Sequence, residues 1–205
     1  IQSKQDGILL LSAVNLPGGI QRRKTAEDAL NMRSLFAEND LISAEIHSSF
    51  QDGTLSLQTR SSRYGKLENG VFVRVHAALV KRCTQHFHTF PFGIHVILGN
   101  NGYIWITKAS ASQIDKNQDV PFMSRTKQDT TEELIVIDGK DRENICRVRN
   151  AILALEAQFL PIYPQTIMDV YETSLNLEAK DMTLKENINL ITQAAATRIQ
   201  EQFSS

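Results

Sequence analysis

The stretch Val96-Ile97-Leu98-Gly99-Asn100-Asn101-Gly102-Tyr103-Ile104-Trp105-Ile106 constrains the fold more than any other part of the chain. Two apolar, β-favouring runs flank a Gly-Asn-Asn-Gly turn. Asn-Gly between such runs is the strongest short-range hairpin signal, because both residue types tolerate positive φ. A β-hairpin is therefore expected at the centre of the chain.

The segments before it read as a small, strand-rich module. Gly7 to Leu11 is an apolar run ending in Ser12 and predicts a buried strand. Asn15-Leu16-Pro17-Gly18-Gly19 is a loop, followed by the basic triplet Arg22-Arg23-Lys24. Thr25 and Asp28 have capping-box spacing and should open a short helix through Ala29, Leu30, Met32 and Phe36. Leu41 to Ile46 alternates as a strand, Gln51-Asp52-Gly53 turns, and Thr54 to Arg60 returns with Leu55 and Leu57 on one face. Strand, loop, short helix and closing hairpin match the second half of an OB-type barrel, with about three of its five strands in view. Ile1 already lies in what reads as β structure, so the natural protein is expected to carry an N-terminal part before it.

The polar run Ser61 to Lys66 marks a boundary. Beyond it, Gly70 to Val75 is a strand, Ala77 to Arg82 a helical turn, and Cys83 to Pro91 an irregular segment rich in His and Phe. Lys108 to Thr131 is polar and weakly periodic and reads as a long insertion. Asp141 is expected to cap a helix running to about Phe159, with Ile145, Val148, Ile152, Leu153 and Leu155 at helical spacing. A second helix follows from Gln165 to Ser174. Thr183 and Glu186 form a second capping box opening a last helix toward Phe203. The expected fold is α+β: a partial S1-type OB barrel over 1–62, then an α/β domain with C-terminal helices over 66–205, carrying the insertion at about 108–131.

The formal net charge is -1, which excludes a protein that coats nucleic acid by bulk attraction. Any RNA contact has to be local or shared with partners. Two cysteines, Cys83 and Cys146, give no disulfide framework and suit a reducing compartment. No apolar run is long enough to span a bilayer, and no membrane partner is expected.

The blocks Leu9-Leu10-Leu11-Ser12, Asn15-Leu16-Pro17-Gly18-Gly19, Asp40-Leu41-Ile42-Ser43-Ala44-Glu45, Thr59-Arg60-Ser61, Tyr64-Gly65-Lys66-Leu67 and Leu98 to Ile106 together resemble one family. It is the ribosomal RNA-processing protein 4 family of eukaryotic RNA exosome cap subunits. Each block is weak alone, but the ordered set is specific and covers both domains. Past Lys108 the match is mostly a helical pattern. The resemblance implies an N-terminal domain, an S1-type domain and a KH-type domain. It implies a non-catalytic role, stabilising a ring of RNase PH-like subunits beside other cap subunits. Single-stranded RNA would be guided to the channel for 3′–5′ degradation and processing, ribosomal RNA maturation included. It further implies location in the nucleus and nucleolus and also the cytoplasm, and no cofactor. The N-terminal domain and first barrel strands of such a protein would precede Ile1.

Candidate sites divide by chemistry. A KH clamp uses a Gly-x-x-Gly loop between helices so that backbone and nucleotide approach closely, usually with a basic residue inside. Gly99-Asn100-Asn101-Gly102 has two asparagines and strand-like flanks, matching the Gly-x-Asn-Gly variant of the family. It reads as a structural KH-type turn, packed against the OB domain, in preference to an RNA clamp. Arg22, Arg23 and Lys24 read on their own as a solvated loop, but within an OB loop they are placed to meet phosphates. Arg60, Arg63 and Lys66 extend the same field, with Tyr64 available for stacking. Cys83, His86, His88 and His95 lack a second ligand cluster, so packing with Phe87, Phe90 and Phe92 is expected in place of metal binding. Trp105 reads as core or domain interface. The acidic pairs Glu132-Glu133 and Asp169-Glu172 have solvated-face spacing, and no hydrolase or Walker motif is present, so no catalytic residue is assigned. A free-standing regulatory RNA-binding protein with OB and KH modules is the alternative function. An RNA hydrolase comes third and would need carboxylates clustered on one concave surface.

Overall fold

A computed structural model describes residues 5–14, 25–61, 63–109 and 137–204. These fall into two compact units, 5–69 and 70–204.

In the first unit, β1 (Gly7–Val14) runs parallel to β4 (Leu55–Thr59), which pairs antiparallel with β3 (Glu45–Ser49). Thr25 and Asp28 open α1 (Ala26–Leu30), the Asp28 carboxylate accepting from both the Thr25 amide at 2.8 Å and its hydroxyl at 3.1 Å. The expected single helix breaks at Asn31, and α2 (Met32–Leu35) follows as a separate turn. The expected strand 41–46 is also two. β2 (Ile42–Ser43) pairs with β5 (Gly65–Lys66), whereas β3 pairs with β4, and the chain changes sheets at Ala44. Alternating polarity continues through such a corner, so the sequence does not mark it. The turn into β4 is set by Gly53 at φ +89° and by Asp52 Oδ1, which accepts from the Thr54 amide at 2.9 Å. β1 is not the buried strand its composition suggests: Val14 is buried and Leu9 and Leu11 half-buried, while Ile8 and Leu10 face outward on the other side of the pleat.

The second unit has two layers. Its antiparallel sheet has the order β6 (Gly70–Arg74), β9 (Tyr103–Lys108), β8 (Ile94–Leu98), β7 (Phe87–Thr89). The segment 83–91 is thus not wholly irregular: Phe87–Thr89 is an edge strand, paired from Phe87↔Ile97 to Thr89↔His95. The helical turn after β6 is short, a 3-10 turn at Ala77–Leu79. One face of the sheet carries Val73, Ile94, Val96, Leu98, Ile104 and Ile106 into the core. α3 (Gly139–Ala157) lies on this face with Ile145, Val148, Ile152 and Leu155, and α4 (Pro164–Thr173) with Ile167 and Val170 and α5 (Lys185–Ser204) with Ile191 and Ala195 pack on α3 and complete the core. Each fully buried aliphatic side chain here contributes about 1.5–3 kcal/mol. The polar insertion expected at 108–131 falls outside the described residues beyond Ala109.

Two expected caps differ. Asp138, not Asp141, precedes α3, its Oδ1 accepting from the Gly139 amide at 2.8 Å. Asp141 sits one turn inside and pairs with Lys108 at 2.6 Å. The Thr183–Glu186 box does not form. Asp181–Thr183 is a 3-10 turn anchored by the fully buried Met182, and the Thr183 hydroxyl donates to the Lys180 carbonyl. The helix begins after Leu184, whose carbonyl accepts from the Asn187 and Ile188 amides.

The connection from α4 to α5 is held by side chains of α3. Buried Arg147 donates to the carbonyls of Ser174 (2.5 Å) and Leu177 (2.9 Å) and pairs with Glu143. Asn150, one turn on, donates to Ala179 at 2.6 Å. These contacts satisfy carbonyls that the end of a helix leaves without intrahelical partners.

Candidate nucleic-acid interface

The Gly99–Gly102 loop joins β8 to β9, so it lies between strands and not between helices. Gly102 N donates to Gly99 O and Gly99 N to Tyr103 O, both at 3.0 Å. Gly102 has φ +80°, while Asn101 stays at negative φ, so the turn is a three-residue hairpin loop closed by a left-handed glycine. It is not the two-residue Asn-Gly turn the sequence suggests. The Asn101 side chain accepts from the Tyr103 amide at 3.0 Å. Gly102 O accepts from the Val75 amide at 2.8 Å, and a Cβ on Gly102 would collide with the Val75 carbonyl and the Ala77 backbone. The loop therefore packs on the segment leaving β6, inside its own unit.

In the first unit, Arg22, Arg23 and Lys24 lie outside the described residues. Arg60 and Arg63 are exposed just after β4, and Tyr64 is half-buried. Burial and the Glu45 carboxylate push the Tyr64 phenol up. Lys66 lies between Glu68 at 3.1 Å and Asp40 at 3.2 Å, and hydrogen bonding to these two carboxylates raises its pKa. The Ala37 amide first, and Lys66 second, hold the Asp40 carboxyl below its ordinary range. Arg60, Arg63 and Lys66 thus follow one another closely in the sequence, and the Lys66 charge is balanced by carboxylates.

The histidines of the second unit work in packing and backbone contacts. His86 Nδ1 lies 3.1 Å from Leu98 O, His88 Nε2 3.1 Å from Gln85 O, and His95 Nδ1 3.0 Å from the Thr89 hydroxyl. Burial, with His88 adding repulsion, pushes His95 down to about 4. Phe90, Phe92 and Tyr171 form a stacked series, with centroids 5.2 Å and 3.9 Å apart. Among the described residues no group of three or more His, Cys, Asp or Glu could hold a metal ion. Of the acidic pairs, Glu132-Glu133 lies outside the described residues. Asp169 is buried and bound to Arg198 Nε at 2.6 Å and Gln165 Nε2 at 3.2 Å, an ion pair linking α4 to α5.

One grouping escaped the sequence reading. On the sheet face turned away from α3, Phe72 and Tyr103 meet edge to face at 5.1 Å, and Arg74 lies over the Tyr103 ring at 5.8 Å. Trp105, directly across from Phe72 in the register, is 7% exposed on the same face. Alternation within Gly70–Arg74 and Tyr103–Lys108 assigns these residues to one face, but only the strand register makes them neighbours.

Comparison with known proteins agrees with this two-part layout. Residues 1–48 match the family model described as "RRP4, S1 domain", and residues 70–112 match a KH domain model. A protein of Bos taurus named exosome complex component RRP4 is 43% identical over 200 residues, covering 98% of this chain and 65% of that protein. Its namesake in Schizosaccharomyces pombe is 41% identical over 203 residues, covering 95% of this chain and 60% of its own length. The one in Saccharomyces cerevisiae is 37% identical over 215 residues, covering 92% and 59%. The chain thus spans somewhat under two thirds of the relatives it matches. An S1 domain, a KH domain and C-terminal helices in that order give the α+β fold expected from the sequence. With two modules matched in order and relatives aligned along nearly all of its residues, the chain belongs to the exosome complex component RRP4 family.

Proposed function

We propose that the chain is the S1 and KH portion of a non-catalytic cap subunit of the RNA exosome. Such a subunit stabilises the RNase PH-like ring, next to other cap subunits, and guides single-stranded RNA to the channel for 3′–5′ processing and degradation, maturation of ribosomal RNA included. The observation that carries this is the alignment of nearly the whole chain with proteins named as exosome components. The near-neutral charge supports an adaptor over an independent RNA binder, which would need a basic face of its own. In this reading residues 1–62 are the S1 part and 66–205 the KH part, with the insertion at about 108–131 inside the latter. Arg22, Arg23, Lys24, Arg60, Arg63 and Lys66 meet phosphates, and Gly99 to Gly102 is a structural turn. The protein acts in the nucleus and nucleolus and also in the cytoplasm. No helix among the described residues is long and apolar enough to cross a membrane.

The test is affinity purification of the full-length protein with identification of its partners by mass spectrometry. RNase PH-like proteins should co-purify, and their absence would reject the reading. RNA cleavage by the purified, contaminant-free protein would reject its non-catalytic part.

A further inference from the structure

We propose that the Phe72–Tyr103 end of the sheet face turned away from α3 is a stacking site for single-stranded RNA, with Tyr103 and Phe72 receiving bases and Arg74 supplying the cation; this rests on the RNA-guiding role proposed above. Phe72 and Tyr103 are 40% and 44% exposed, although the neighbouring positions on both strands, Val73 and Ile104, are in the core. Two aromatic rings side by side on a rigid antiparallel pair, at an interplanar angle of 88°, leave π surface open to solvent at a fixed place. Every nucleobase has a π face, so such a site binds single strands with little sequence preference and rejects duplexes, whose bases are already stacked.

The charged group beside the rings, Arg74, has the sign a phosphate needs. Among the described residues no carboxylate pairs with Arg74, and its contact is the Tyr103 ring at 5.8 Å. That is a loose cation–π distance, so the guanidinium stays near the ring with its donors available to a phosphate. An apolar protein partner would account for the two rings but not for a guanidinium held over one of them with no carboxylate partner among the described residues.

The experiment uses the full chain and a fluorescein-labelled single-stranded oligouridine, with anisotropy titrations at two salt concentrations and ultraviolet crosslinking mapped by mass spectrometry. Wild-type protein should crosslink at the peptides carrying Phe72 or Tyr103. Tyr103→Ala should weaken binding at least about fivefold, and Tyr103→Phe should restore it. Arg74→Gln should reduce the salt slope by about one. Crosslinking of unaltered protein keeps the test valid if a variant fails to fold. Crosslinks confined to other peptides, or folded Tyr103→Ala and Phe72→Ala variants that bind like wild type, overturn the proposal and leave the cap reading intact. So does a Tyr103→Ala variant that loses a protein partner but keeps its RNA affinity. Wild-type protein with no oligouridine affinity also overturns it. Absence of RNase PH-like partners is the separate result that removes the cap reading itself.

Discussion

Gly102→Ala and Gly93→Ala form a matched pair, Gly93 directly before β8 and Gly102 directly before β9. Both glycines have φ +80°, so alanine at either position carries the same left-handed backbone penalty, about 1 kcal/mol. They differ in surroundings. A Cβ at Gly93 meets nothing within 4 Å, whereas at Gly102 it collides with the Val75 carbonyl and reaches the Ala77 backbone. That obstacle is backbone, so relief means moving the turn off β6 and losing the Val75 N to Gly102 O hydrogen bond of 2.8 Å, worth about 1 kcal/mol. Displaced packing at the end of the sheet adds about as much again. Gly93→Ala should therefore cost about 1 kcal/mol and Gly102→Ala about 3 kcal/mol, a difference of about thirtyfold in the folding equilibrium. The chain has one tryptophan, Trp105, buried in β9 of the same unit, so its fluorescence in urea follows the unit that carries both glycines. Equal slopes against urea would confirm that the unfolding transition is the same in each protein. Costs agreeing within about 0.5 kcal/mol would refute the packing argument. A Gly102→Ala protein of wild-type stability with weakened RNA binding would make the loop a contact site.

His95 is neutral in the fold, pushed down to about 4, and protonates near 6.5 once unfolded. Over that interval the unfolded chain binds more protons, so stability falls as pH drops from about 6.5 toward 4, by up to about 3 kcal/mol. His88, lowered mainly by burial, acts in the same direction. Urea titrations at neutral and mildly acidic pH should show the loss, and His95→Gln should flatten it; unchanged pH dependence in that variant would exclude His95 as the source. Arg147→Met strips the Ser174 and Leu177 carbonyls of their donor and should cost about 3 kcal/mol in urea unfolding; a cost under about 1 kcal/mol would mean that water replaces the guanidinium. Changing Arg22, Arg23 and Lys24 together to Glu should weaken oligouridine binding and flatten its salt dependence, and an unchanged salt slope would remove phosphates as their target.

The central hairpin was legible because its information is local: two apolar runs, a glycine-bearing turn and the period of two agree. The core face of α3 was legible for the same reason, from Ile145, Val148, Ile152 and Leu155 at helical spacing. What escaped depends on partners distant in sequence. The sheet change at Ala44 leaves no trace in alternation, because it alters which strand pairs and not which side chains point inward. Phe87–Thr89 becomes a strand only because Ile97 to His95 lies beside it, and His88 and His95 carry no strong strand signal of their own. Asp138 and Asp141 are equivalent caps by residue type; Lys108 engages the second, and the helix starts at the first. Phe72, Arg74 and Tyr103 were each visible, yet their adjacency required the β6–β9 register.

The Gly-Asn-Asn-Gly loop shows how one short pattern can serve two different ends. In a clamp between helices, glycines remove Cβ atoms so that a nucleotide can come close to the backbone. Here the close approach is already made by the protein itself, since Gly102 faces Val75 and Ala77, and Gly99 faces Tyr103 O and the Asn101 side chain. The amides of both glycines and of Tyr103 are also engaged: Gly99 N binds Tyr103 O, Gly102 N binds Gly99 O, and Tyr103 N binds Asn101 Oδ1. A basic residue inside the loop would serve a clamp, whereas an Asn101 that returns its side chain to Tyr103 N serves a turn. The same bonds fix Tyr103 at the start of β9, where its ring stands beside Phe72 and beneath Arg74. The loop's contribution to RNA handling would then be indirect, through the rigidity with which it presents that ring. Under this account Asn101→Ala, which frees the Tyr103 amide without adding bulk, should lower oligouridine affinity only as far as it loosens Tyr103, and should have no further effect once Tyr103 is alanine.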